Sequence, residues 1–134
     1  MSLESVNQGL AAKHLHEPKP STPMQSTEVI IVLTHAPDLE CAKTIATCLL
    51  AERLAACINI GAPVLSIYEW ESAVHETQEI PLIIKTTLAQ QERLVDRLVG
   101  LHPYDVPEVL TVSAAGGYAP YLAWIQHNTQ VGPA

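Results

Sequence analysis

Residues 28–34, EVIIVLT, run β-branched side chains together without a polar break, and the run predicts a buried strand. His35-Ala36-Pro37-Asp38 then turns the chain. Pro37 suits a first helical turn, and Asp38 suits the positive end of a helix dipole. Ala42, Ile45, Ala46, Leu49 and Leu50 recur at helical spacing and predict a helix over 38–54. Its face takes Cys41 and Cys48 as small apolar fillers. Residues 56–71, ACINIGAPVLSIYEWE, read as one long strand, with Gly61 and Pro63 marking a bulge or kink. Past the kink Val64, Ser66, Tyr68 and Trp70 share one face; Leu65, Ile67, Glu69 and Glu71 share the other. Residues 74–86, VHETQEIPLIIKT, make the return strand, with Ser72-Ala73 as a tight connection. Pro81 cannot donate to a ladder, so its amide side must face a bulge or an edge.

Thr87-x-x-Gln90 has the spacing of a capping box. Leu94, Val95, Leu98 and Leu101 follow as an amphipathic helix over 88–101. His102-Pro103-Tyr104-Asp105-Val106-Pro107 is a proline-fixed loop, and residues 107–114, PEVLTVSA, are a further strand. Gly116-Gly117 is a loop. Tyr121, Leu122 and Ile125 mark a short final helix over 118–128, where His127 complements the dipole. The chain then frays over 129–134. Residues 1–26 show no sustained period and crowd Pro18, Pro20 and Pro23 among Ser and Thr, the pattern of a flexible N-terminal arm. His14 and His16 in that arm lack further ligands and read as solvated.

The order β-α-β-β-α-β plus a terminal helix is the split βαβ pattern of a ferredoxin-like α+β sandwich, here one domain over 27–128. Two helices would cover one face of the sheet. The other face is aliphatic and needs a cover. The hairpin strands far exceed the usual five to six residues. An overhanging hairpin carrying Tyr68 and Trp70 also needs a partner surface, and a closed cyclic oligomer uses both.

Composition agrees. Of 134 residues 48% are hydrophobic and only 16% charged, against roughly 25% charged in an average soluble domain. Aromatics are 4%, so the apolarity is aliphatic. The net charge is −7. Lys13, Lys19, Glu4 and Glu17 cancel in the arm, so all of it falls on 27–134. An acidic body without a basic stripe excludes nucleic acid and anionic membrane surfaces as partners. An RNA-binding use of the same topology would need aromatic and basic residues on central strands, and 79–86 reads EIPLIIKT. No apolar run is long enough for a membrane helix, and no secretory signal pattern opens the chain. Three cysteines, Cys41, Cys48 and Cys57, form no zinc spacing and no disulfide framework. They suit a reduced, cytoplasmic protein. No Gly-rich phosphate loop, G-x-S-x-G or paired-His metal helix supports an enzyme.

Several stretches resemble the divalent-cation tolerance protein CutA family. They are Ala36-Pro37-Asp38, residues 51–59 (AERLAACIN), 66–71 (SIYEWE), Ile84-Lys85-Thr86, 102–108 (HPYDVPE) and 121–125 (YLAWI). The match spans about 28–127 in the family's order. It implies a ferredoxin-like protomer, a homotrimer of interlocked hairpins and a likeness to PII signalling proteins. It also implies a role in tolerance of copper or other divalent cations, with no organic cofactor. Some relatives carry Cys where this chain has Thr34, and a second His where it has Leu101. Thiolate and imidazole are the ligands that suit copper, so a copper site here is weakened or moved. Pro81 replaces a residue that is usually an ordinary aliphatic.

The metal candidates are His102 with Glu108 as companion. The alternative is a loop-fixing histidine donating to a backbone carbonyl. One His and one carboxylate do not fill a transition-metal sphere, so further ligands must cross a subunit boundary. By the resemblance Cys57, Trp70, Glu79, Lys85 and Tyr104 line a cleft between subunits. There Lys85 would meet a small anionic ligand or pair with Glu79 in an inter-subunit salt bridge. Two functions compete: metal tolerance, and a PII-like module that binds a small anion and a partner protein. His35 and His75 read as surface residues.

Overall fold

The computed structural model describes residues 27–130. The N-terminal arm, with His14 and His16, and residues 131–134 lie outside them. The chain runs β1 (Val29–Ala36), α1 (Leu39–Ala51), β2 (Cys57–Ile60), β3 (Val64–Trp70), β4 (Ala73–Thr87), α2 (Gln91–Leu101), β5 (Val109–Ser113) and α3 (Ala119–Asn128). The sheet order is β2-β4-β1-β5, with β3 continuing beside β4. Every pairing is antiparallel. This is the ferredoxin-like α+β arrangement that the element order implies.

Helix α1 is shorter than its periodicity because both ends are capped. Asp38 accepts the Cys41 N–H at 2.8 Å, satisfying one orphan donor of the first turn. At the other end Arg53 turns left-handed with φ 58°. Its N–H reaches the Leu50 carbonyl, and the Leu54 N–H reaches that of Leu49, both at 3.0 Å. This double closure is a Schellman motif, and its apolar ends Leu49 and Leu54 both sit in the core.

The core lies between the sheet and α1 and α2. Ile30, Val32 and Ala36 of β1 and Ile80, Leu82 and Ile84 of β4 meet Ala42, Ile45, Leu49, Leu94 and Leu98. These strand positions alternate with residues of the opposite face, as a pleated sheet dictates.

The expected long strand divides into β2 and β3 because Gly61, Ala62 and Pro63 leave the ladder. Gly61 donates its N–H to the Pro81 carbonyl at 2.9 Å. A strand residue points its N and its C=O to the same side. The missing N–H of Pro81 therefore faces this gap, where no donor is required. A Cβ on Gly61 would stand 2.9 Å from Pro81 Cγ, so the proline and the glycine fit only together.

Two local readings fail. Trp70 pairs with Ala73, so the hairpin connection is Glu71-Ser72, not Ser72-Ala73. Both residues adopt positive φ, 52° and 67°, as a two-residue hairpin turn requires. The capping box at Thr87 does not form: Thr87 makes no side-chain cap, and a single 3-10 turn over Leu88–Gln90 precedes α2. Gln90 instead turns inward and donates to the Thr129 carbonyl at 2.7 Å. Thr129, expected in a frayed tail, is buried. The Arg53 guanidinium caps the end of α3, donating to the His127 carbonyl at 3.0 Å.

The second face of the sheet is open over most of its length. Val29 and Thr87, at one end, are buried where α3 packs on β1 and β4. Beyond them Ile83, Leu110 and Val112 are 41%, 58% and 48% exposed. The face continues onto the hairpin, because residues 73–79 of β4 pair with β3 alone. That overhang is roughly 23 Å long at ~3.3 Å per residue. Leu65, Ile67 and Val74 on its other face are more than 60% exposed.

Candidate functional site

The loop after α2 folds back against the base of the hairpin and is pinned by side chains. His102 is buried. Its Nε2 donates to the His35 carbonyl at 2.7 Å, and its Nδ1 accepts the Tyr104 N–H at 3.1 Å. A carbonyl only accepts and an amide N–H only donates, so these partners assign the neutral Nε2–H tautomer. Thr34 Oγ1 donates to the Glu108 carbonyl at 2.6 Å. Glu108 Oε1 lies 3.0 Å from His35 Nδ1. Tyr104 Oη donates to Glu79 Oε2 at 3.0 Å. Burial, then the hydrogen bond and charge of Glu79, push the Tyr104 phenol up to about 12.

Between hairpin and loop opens a cleft of about 900 Å³. Tyr68, Trp70, His75, Thr77 and Glu79 line it from the hairpin; Pro103, Tyr104, Asp105, Val106 and Glu108 line it from the loop. The Tyr68 and His75 rings stack at 5.6 Å, and Tyr68 Oη is 3.0 Å from Thr77 Oγ1. Among the described residues the lining holds the carboxylates of Glu79, Asp105 and Glu108 and neither Lys nor Arg.

Of the five cleft residues expected from the sequence, Trp70, Glu79 and Tyr104 meet here. Cys57 and Lys85 do not. They pair with each other across β2 and β4, and the Lys85 ammonium donates to Asn59 Oδ1. Lys85 stands six residues along β4 from Glu79, roughly 20 Å away. The two do not pair within one chain.

The metal candidates share the loop without sharing a focus. Both ring nitrogens of His102 are spent on backbone groups, and Glu108 turns to His35. Among the described residues no three His, Cys, Asp or Glu side chains converge on a point where a metal ion would sit. The donor set among the described residues of one chain therefore does not fit a transition metal.

The His35–Glu108 contact, Asp105 and the Tyr68–His75 stack were not singled out by sequence reasoning. The even-numbered face of residues 64–70 already set Tyr68 beside Trp70 as a contact surface, but not its stacking on His75. The His35–Glu108 contact depends on β1–β5 register and leaves no local signal.

The molecule is thus an α+β protein of the ferredoxin-like class, with a hairpin that overshoots its sheet and a cleft at the hairpin base. The family model for the CutA1 divalent ion tolerance protein matches residues 30–128, and the chain belongs to that family. The divalent-cation tolerance protein CutA of Thermus thermophilus is 46% identical over 99 residues, covering 74% of this chain and 96% of that protein. The crystal structure of CutA1 from the psychrotrophic bacterium Shewanella sp. SIB1 superposes with a TM-score of 0.76 at 36% identity, over 78% of this chain and 97% of that one. The CutA structure from Archaeoglobus fulgidus, described as periplasmic, superposes with a TM-score of 0.74 at 30% identity, over 76% of this chain and 99% of that one. Among the described residues no helix is long and apolar enough to cross a membrane.

Proposed function

We propose that the chain serves tolerance of divalent cations, copper among them, as a homotrimer and without catalytic turnover. Family membership supports the tolerance role. The observation that carries the assembly is a file of exposed apolar side chains on one face of the sheet and its hairpin. It runs from Leu110 and Val112 through Ile83 to Tyr68 and Trp70, all exposed. A two-stranded hairpin is marginally stable on its own in water. Laid across the open sheet face of the next copy, each hairpin gains a core and covers a patch too large to leave bare. Three copies closing this way bury every hairpin and every face.

Copper contact is then weak and shared between subunits, with Glu108 lining the cleft and His102 buried behind its loop. Neither presents an uncommitted ligand set within one chain. Titration calorimetry with copper(II) on the wild type and on His102→Ala tests this. Weak heats are expected from both; tight binding that survives the substitution overturns it.

The PII-like reading, with a small anion in the cleft, relies on a basic residue that the described residues of one chain do not bring to the cleft. It needs Lys85 of a neighbouring copy. The half-buried thiols of Cys41, Cys48 and Cys57, all unpaired, support a cytoplasmic setting over an oxidising one.

A further inference from the structure

The cleft at the hairpin base has a chemistry that fits neither a metal ion nor an anion. Glu79 is only 8% exposed, yet it lines the cavity. Its Oε2 is held by Tyr104 Oη, and among the described residues no donor reaches its Oε1. A buried carboxylate with one oxygen unsatisfied is costly and calls for a cation or a donor. Asp105 and Glu108 add negative charge to the same lining, and among the described residues no Lys or Arg lines it. An anion would meet repulsion from all three carboxylates.

A bare metal ion fits poorly as well. No three ligands converge, and the volume of about 900 Å³ is in the range of organic ligands. The walls also carry aromatic rings, Trp70 and a Tyr68 stacked on His75, and aromatic rings attract organic cations. The type of cation follows from Glu79. A guanidinium binds best through two parallel bonds to both carboxylate oxygens, and here it would have to share Oε2 with the Tyr104 hydroxyl. An ammonium needs only one oxygen and leaves its stem for apolar walls.

We propose that this cleft binds an alkylammonium group through Glu79 Oε1, with Tyr68 and Trp70 packing on its stem. The inference rests on the cleft being the functional site of the assembled protein. Two sources carry this chemistry: a free alkylamine, or the Lys85 side chain of a second copy.

The test is calorimetry with n-butylamine on the wild type, Lys85→Met and Glu79→Gln, with n-butanol and butyrate as neutral and anionic controls. Light scattering on each variant reads the assembly separately. If the ligand is a free amine, the wild type binds butylamine. If a neighbour's Lys85 fills the cleft, only Lys85→Met binds it. In either case Glu79→Gln, introduced into the binding background, weakens binding by about tenfold or more. Should Glu79→Gln alter the assembly, Tyr68→Leu must weaken butylamine severalfold at unchanged mass. The proposal is overturned if neither background binds butylamine, if butanol or butyrate binds equally well, or if the Glu79 and Tyr68 substitutions leave binding intact. Butylamine binding to a protein that proves monomeric would overturn the trimer and leave the cleft chemistry standing.

Discussion

His102 shows how a side chain that looks like a ligand becomes structural. Its residue type and loop position were legible in the sequence, and so was the alternative of a hydrogen bond to a carbonyl. The deciding partner, the His35 carbonyl, lies 67 residues away, so no spacing rule could choose between them. His102→Ala removes two part-buried hydrogen bonds to backbone groups, and it is expected to destabilise the fold by about 1–3 kcal/mol. Denaturant midpoints at unchanged slope would show it; a change below about 0.5 kcal/mol would mean that the loop does not depend on this ring. Tyr104 carries a pH signature. Its phenol rises from 10.0 to about 12 in the fold, so its neutral form is the one the native state favours. The stability it lends is complete below pH 10 and is lost as pH climbs through about 12. Tyrosinate absorbance should show a late step that Tyr104→Phe abolishes.

At the level of elements, hydrophobic period located β1, α1, β4 and α2, because each buries a regular face. What it missed was set by contacts between elements. The hairpin turn shifted by one residue because cross-strand register, not turn propensity, seats Glu71 and Ser72 at positive φ. The capping box failed because Gln90 found the Thr129 carbonyl, a partner outside its own helix. The division of the long strand was readable from Gly61 and Pro63, but its complement on Pro81 was not. That complement makes a coupling testable. Gly61→Ala forces a methyl against the proline ring and is expected to cost about 1–3 kcal/mol. In Pro81→Ala the same glycine change should cost much less. A double-mutant cycle that gives simple additivity would refute the interlock.

For the whole molecule, low charge and high aliphatic content first say only that much apolar surface must be hidden. The fold shows where the surplus lies: on the sheet face opposite the helices, and on a hairpin that leaves its sheet for some seven residues of β4. The charge of −7 gains a location too, since Glu79, Asp105 and Glu108 draw part of it into one cleft. Family membership was legible from a few motifs, and so was the separation of Lys85 from Glu79 within one chain, since both fall on the strand read over 74–86. Ile83→Asp, which puts a charge at the centre of the open face, is expected to break the assembly while leaving the helix-side core intact. Loss of native circular dichroism without dissociation would count against this.

The central claim is that the open face and the overhanging hairpin are covered by two further copies of the same chain. Multi-angle light scattering on a dilution series of the wild type tests it most directly. The expected mass is three times the 14.5 kDa of the chain, held down to the lowest measurable concentration. A single-chain mass in dilute solution would contradict it.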